Sequence, residues 1–159
     1  MDFSDSVFKS KTGFIGNMTI NEKQDELIED FELFDDQLDK TQYIIDLGKK
    51  LSPIAEDYKT DENLIRGCQS KVWLHSEMRG DVVHFEADSE PTAQISKGLV
   101  SLLIKILSDQ KPEDVANADL YFIDKIGMSS IITSRRAGGL ASMIARMKEF
   151  AQRAAEKVS

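Results

Sequence analysis

Two periods of hydrophobic spacing follow one another along the chain. Leu27, Ile28, Phe31, Phe34 and Leu38 recur at helical spacing and predict one amphipathic helix across that stretch. Thr19 to Glu22 precedes it with the Ser/Thr-x-x-Glu spacing, in which each side chain satisfies a free backbone N–H at a helix start. Tyr43, Ile44 and Leu47 predict a second helix that runs toward Leu51 and stops before Pro53. Glu56 to Asn63 is charged and aperiodic, and predicts a loop. From Lys71 the period falls to two. A strand to Met78 puts Val72 and Leu74 on one face and Trp73 and His75 on the other. Arg79, Gly80 and Asp81 predict a turn, and Val82 to Ala87 returns as a strand with Val83, Phe85 and Ala87 inward.

Beyond the hairpin the helical period resumes. Asp88 and Ser89 predict the cap of a helix with Pro91 in its first turn and Ile95, Leu99, Leu102, Leu103 and Ile106 on its buried face. Lys111 to Asp114 predicts a short helix, and Leu120 to Ile126 another, closed by Gly127. A glycine-broken segment at Gly138 and Gly139 then leads into a final long helix with Leu140, Met143, Ile144, Met147 and Phe150 as its stripe. A hairpin alone is marginal and must be covered by helices. Helices, a small antiparallel sheet and more helices make an α+β single domain over residues 19–159. Residues 1–18 lack either period and are expected to form a flexible arm or extension, with Met18 an alternative start.

Length and composition narrow the function. At 159 residues, 41% apolar and 30% charged, the chain is of a size for one soluble core. Its longest uncharged apolar run, Gly98 to Ile104, is far short of the roughly 20 residues that span a bilayer. Asp2 and Asp5 stand where a secretory signal would be apolar. With a single cysteine besides, a reducing cytoplasm is the expected compartment. The formal charge of −8 repels nucleic acid, and the basic pairs Lys49-Lys50 and Arg135-Arg136 have no stacking aromatics beside them. The clustered acids Glu29-Asp30 and Asp35-Asp36 read as a solvated helix face. A protein partner is expected, and neither nucleic acid nor membrane.

Chemistry is confined to few residues. Cys68, the only cysteine, excludes an internal disulfide and any multi-thiolate site. Gly67 removes bulk beside it, and Arg66 and Lys71 are near enough in sequence to favour its thiolate. Two readings stand at this point, a reactive sulfur or a small buried hydrophobe. A hydrolase cysteine needs an oriented histidine base. His75 and His84 are the only candidates, and both fall on the hairpin. One cysteine and two histidines do not make a zinc site. No Cys-x-x-Cys and no phosphate-cradling Gly-x-x-x-x-Gly-Lys-Ser/Thr occurs. What remains is one nucleophile without helpers, suited to thiol–disulfide-type exchange with a donor made elsewhere.

Residues 67–74, Gly-Cys-Gln-Ser-Lys-Val-Trp-Leu, resemble the signature of the SufE family, the sulfur acceptors of cysteine desulfurases in iron–sulfur cluster assembly. Tyr43 to Gly48, Ala87 to Ser89 with Lys97 to Leu99, Asp119 to Ile126, and Arg136 with Gly139-Leu140 resemble the family in the same order, over residues 19–157. The resemblance implies a SufE/IscU-like α+β fold and a persulfide acceptor at Cys68. Arg66, Gly67, Gln69 and Ser70 would then shape its loop. Arg136 would lie near that loop or at the partner surface, or else in a structural ion pair. The implied partners are a cysteine desulfurase of the SufS or CsdA kind and an iron–sulfur scaffold complex of the SufBCD kind, with a homodimer left open. No cofactor is implied on this chain, since pyridoxal phosphate (PLP) belongs to the desulfurase. Such a chain is a sulfurtransferase-type accessory protein rather than a stand-alone enzyme. The alternative is a non-catalytic adaptor that binds the desulfurase without taking sulfur. A cluster scaffold is disfavoured, because one thiolate cannot supply about four ligands. The chain departs from the family at Ser134 and Gly138, where proline and asparagine are usual, which loosens the backbone near Arg136.

Overall fold

The computed structural model describes residues 18–158. The expected arm thus lies outside the described residues, apart from Met18, whose carbonyl accepts from Gln110 Nε2 at 2.9 Å. Helix α1 (Ile20–Phe31) opens with the expected capping box, Thr19 and Glu22 bonding reciprocally. It ends at Phe31, however, and α2 (Gln37–Lys49) begins anew under an Asp36 cap. The single stripe from Leu27 to Leu38 is therefore corrected. Leu27 and Phe31 are buried in the core, whereas Leu38 sits on α2 and is 78% exposed. Asp35-Asp36 supplied the break, because an aspartate that accepts from Leu38 N starts a new helix.

Two 3₁₀ turns, Glu56–Tyr58 and Asp61–Asn63, occupy the expected loop. Strands β1 (Val72–Arg79) and β2 (Val82–Ser89) pair antiparallel from Val72↔Ser89 to Arg79↔Val82. The turn places Gly80 at φ +62, as a tight two-residue hairpin demands. Val72, Leu74, Val83, Phe85 and Ala87 all face the core, as their alternation predicted. Asp88 and Ser89 do not cap a helix. They are the last rungs of β2, and α3 (Gln94–Leu107) starts later, behind an Ala93 cap with no side-chain bond. Buried Asp88 instead meets Lys97 at 3.4 Å and Lys59 at 3.6 Å. Burial alone would push the Asp88 carboxyl up, but the Ser89 N–H and the two ammonium groups together hold it below the usual range.

Helix α3 is the central element, packed on α2, on β2 and on the C-terminal helix. Its crossing with α2 is a backbone contact. A Cβ on Gly98 would run into the Ile44 carbonyl oxygen, and one on Gly48 would stand 2.7 Å from Gly98 N. The short helices α4 (Pro112–Ala116), α5 (Phe122–Lys125) and α6 (Met128–Ile131) follow, and Gly127 at φ +74 turns the chain between the last two. Buried Gln24 ties α1 to this region, donating to Asp119 O and accepting from Phe122 N.

Helix α7 (Ser134–Val158) is continuous through Gly138 and Gly139. The expected glycine break is thus corrected. A Cβ at Gly138 would meet nothing within 4 Å, whereas one at Gly139 would stand 2.8 Å from Cys68 Sγ. Gly139 is small because another segment occupies its space, and the helix runs on because the rest of its stripe, from Leu140 to Ala154, is core.

Candidate functional site

The loop 66–71 leaves the body of the protein between two clamps. At its base Ile65 N donates to Val72 O at 2.9 Å, and Glu90 N donates to Lys71 O at 2.9 Å. Lys71 N returns a bond to Glu90 Oε1 at 2.6 Å, and Ser70 and Thr92 share a hydroxyl–hydroxyl bond at 2.9 Å. At the tip, Gly67 adopts φ +91, a left-handed conformation that a side chain would strain. That turn directs Cys68 back toward the protein, where its sulfur lies against the backbone of Gly139.

Helix α7 holds the loop at a second point. Arg146 donates from Nη1 to Leu64 O at 2.9 Å and from Nη2 to Glu62 O at 2.7 Å. Gly139 and Arg146 are seven residues apart and so share one helix face, about 10 Å along the axis. One face of α7 therefore positions the chain leading into the loop and the loop itself. Sequence reasoning missed Arg146. Its only signal was a cation on the flank of an apolar stripe.

Cys68 is half-buried, and burial pushes its thiol above the usual range, partly offset by a hydrogen bond from the Ser96 hydroxyl. This reverses the expected effect of Arg66 and Lys71. Both are exposed, and burial, not either cation, sets the direction of the shift. Burial thus favours the protonated thiol, which packs against the edge of the core.

The site residues separate onto two sides of the loop. Gly67, Cys68, Gln69, Ser70 and Arg136 line an open cavity of about 440 Å³, completed by Thr92 to Ser96 at the start of α3 and by Thr133 to Arg135 and Gly139 at the start of α7. Arg66 instead opens with Lys71 onto a second cavity of about 480 Å³, which Gly67, Cys68 and Gln69 also line. No carboxylate lines the first cavity. Residues 22–46 by contrast carry ten carboxylates against two lysines, which equals the whole net charge of the chain. The α1–α2 corner is acidic and the Cys68 cavity is cationic.

Arg136 makes no side-chain ion pair among the described residues, so the structural ion-pair reading of it loses its support. Ser134, one of the two departures from the resemblance, is the first residue of α7, and exposed Gly138, the other, touches nothing with the position of its missing Cβ. Both departures change local helix stability and leave the cavity wall in place.

The histidines are occupied elsewhere. His75 stacks on Tyr58 at 3.6 Å and bonds Glu77 at 2.8 Å. Arg79, then His75, hold the Glu77 carboxyl down to about 2. His84 bonds Asp109 at 2.7 Å. Neither lines a cavity with Cys68. Among the described residues no group of three or more His, Cys, Asp or Glu side chains is placed to hold a metal ion, and no helix is long and apolar enough to cross a membrane. The first cavity has room for a small group beside one thiol, and neither a carboxylate nor an imidazole lines it.

Comparison with known proteins gives the family and the fold. A family model described as SufE, Fe-S metabolism associated domain, matches residues 25–151. A SufE-like protein of Rhizobium etli is 39% identical over 133 residues, 80% of this chain and 88% of its own. Another from Rhizobium meliloti is 38% identical over 133 residues, 80% of this chain and 94% of its own. A protein of Thermus thermophilus with a known solution structure shares the fold, with a TM-score of 0.70 over 84% of this chain and 96% of that one at 21% identity. The Gly-Cys-Gln-Ser loop, the helix-flanked hairpin and these matches converge, and the chain belongs to the SufE family, associated with iron–sulfur metabolism.

Proposed function

We propose that this protein is a sulfur acceptor in which Cys68 takes the sulfane sulfur from a persulfide on a cysteine desulfurase and passes it to an iron–sulfur scaffold in a reducing cytoplasm. The observation that carries the reading is the placement of one thiol at the tip of a clamped loop, on a cavity that no carboxylate or imidazole lines. Transfer between sulfurs needs only access and alignment. The Cys68 thiolate attacks the terminal sulfur of the donor persulfide. A bond forms between Cys68 Sγ and that sulfur, the donor's sulfur–sulfur bond breaks, and the donor cysteine leaves as a thiolate that takes up the proton. Cys68–S–SH results, with no net oxidant or reductant consumed.

The raised thiol pKa suits this role. A half-buried thiol resists stray oxidation and alkylation, and becomes nucleophilic once a docked partner draws it into a more polar setting. Removal of the sulfane sulfur frees the desulfurase for its next turnover, which is how acceptance stimulates it. The test is to incubate the chain with desulfurase and cysteine and record intact mass. A single-sulfur adduct is expected on the wild type and absent from Cys68→Ser. An adduct that persists on the variant, or none on the wild type, sinks the proposal.

The same raised pKa is the one observation that favours the non-catalytic adaptor. That reading requires Cys68→Ser to stimulate the desulfurase as well as the wild type does, whereas sulfur acceptance requires the stimulation to be lost.

A further inference from the structure

We propose that the cavity beside Cys68 also binds low-molecular-weight persulfides that carry a carboxylate, cysteine hydropersulfide being the simplest, and that Cys68 accepts sulfur from them without a protein donor. This rests on the reading of Cys68 as a sulfur acceptor and adds a second class of donor.

The cavity measures about 440 Å³. Small-molecule sites span roughly 300–1,000 Å³, so an amino-acid-sized ligand fits. Its walls have the chemistry of a carboxylate site. Arg135 and Arg136 both line it, and among the described residues neither guanidinium has an ion-pair or hydrogen-bond partner. A guanidinium matches a carboxylate with two parallel N–H···O bonds, a fit a lysine lacks. No lining carboxylate competes for these donors. Hydroxyls of Ser70, Thr92 and Ser96 provide further polar contacts, and Ser96 already bonds the sulfur.

The nucleophile shares that space. Cys68 lines the same cavity, with its Sγ against Gly139 on one side. In cysteine hydropersulfide a short chain separates carboxylate from terminal sulfur, and a ligand anchored on the arginines keeps that sulfur within the cavity. The Cys68 thiolate attacks the terminal sulfur and forms the new sulfur–sulfur bond. The donor's sulfur–sulfur bond breaks, and free cysteine departs as a thiolate that takes the proton Cys68 gave up. The products are cysteine and Cys68–S–SH, and atoms and electrons balance without a co-reactant.

Cysteine hydropersulfide and cysteamine hydropersulfide differ only by the carboxylate, and they make the test. Loading of the full chain is followed as a one-sulfur adduct by intact mass against donor concentration. Saturable loading is expected with the first donor and slow, non-saturating loading with the second. The double variant Arg135→Gln/Arg136→Gln, whose side chains are exposed so that the fold tolerates the change, should raise the half-saturating concentration of cysteine hydropersulfide about tenfold. Equal, non-saturating loading by both donors, or saturation unchanged in the double variant, overturns the proposal. A parallel reaction with desulfurase and cysteine separates the two ideas. Loading there without the saturable behaviour here removes only the small-molecule donor, and absence of loading in both removes the acceptor reading as well.

Discussion

Gly139→Ala tests the contact on which the site depends. The added Cβ would stand 2.8 Å from Cys68 Sγ, where ordinary contact begins at about 3.5 Å, so the sulfur or the helix must yield by most of an ångström. Two terms oppose each other. Alanine in place of glycine within a helix gains about 1 kcal/mol. Overpacking at a filled contact costs about 1–3 kcal/mol. With Cys68 present the net is a loss of about 1 kcal/mol. With Cys68→Ala the same Cβ meets nothing nearer than the Gly67 oxygen at 3.6 Å, which is comfortable, and the helix gain of about 1 kcal/mol appears unopposed. Urea unfolding of the four proteins of this double-mutant cycle should give a coupling of about 2 kcal/mol. Displacement of the sulfur also brings it toward solvent, so Gly139→Ala should react with iodoacetamide faster than the wild type. An additive cycle together with an unchanged alkylation rate would refute the reasoning, because it would mean that nothing is held in the space the glycine leaves.

Gly98→Ala drives a Cβ into the Ile44 carbonyl and forces α2 and α3 apart; a loss of about 3 kcal/mol is expected in urea unfolding, and an unshifted midpoint would contradict the helix crossing described. The Cys68 thiol is raised by burial, so folding retains its proton. The resulting stability is complete below the unfolded thiol pKa and disappears as pH rises through the folded value. The rate of Cys68 alkylation against pH should therefore have a midpoint above that of free cysteine, and Ser96→Ala, which removes the one stabilising donor, should move it higher still. A midpoint at or below that of free cysteine would be the opposite outcome. Arg146→Ala frees the carbonyls of Glu62 and Leu64 and should cost about 1–3 kcal/mol while quickening Cys68 alkylation, both measurable on one preparation. Loss of stability with alkylation unchanged would show that Arg146 does not position the loop.

Local patterning was enough for much of the fold. The capping box at Thr19, the alternation of β1 and β2 and the apolar stripe of α3 depend on neighbours a few residues away, and each lies where its period puts it. The expected breaks were less secure. A stripe can be continued across Asp35-Asp36 on paper, but a capping aspartate competes with the helix and wins, leaving Leu38 exposed. Asp88 and Ser89 are good caps by residue type, yet pairing with Trp73 and Val72 claims them for the sheet. Gly138-Gly139 looked like a helix break because helix propensity is counted residue by residue. The core contacts of Leu140 to Ala154 outweigh that local cost, and the space at Gly139 belongs to a sulfur 71 positions earlier.

The site divides along the same line. Cys68 and its glycine-flanked loop were legible from residue types alone, and the family resemblance turned them into an expected role. The state of the sulfur was not legible. Arg66 and Lys71 are its neighbours along the chain, but burial beside α7 and the hydroxyl of Ser96 govern its proton. Arg135, Arg136, Ser96 and Arg146 come to the loop from two helices far along the chain. Periodicity reports which face of an element is buried. Which elements meet across that face, and what they do to the charge of a thiol, is decided only when the chain closes on itself.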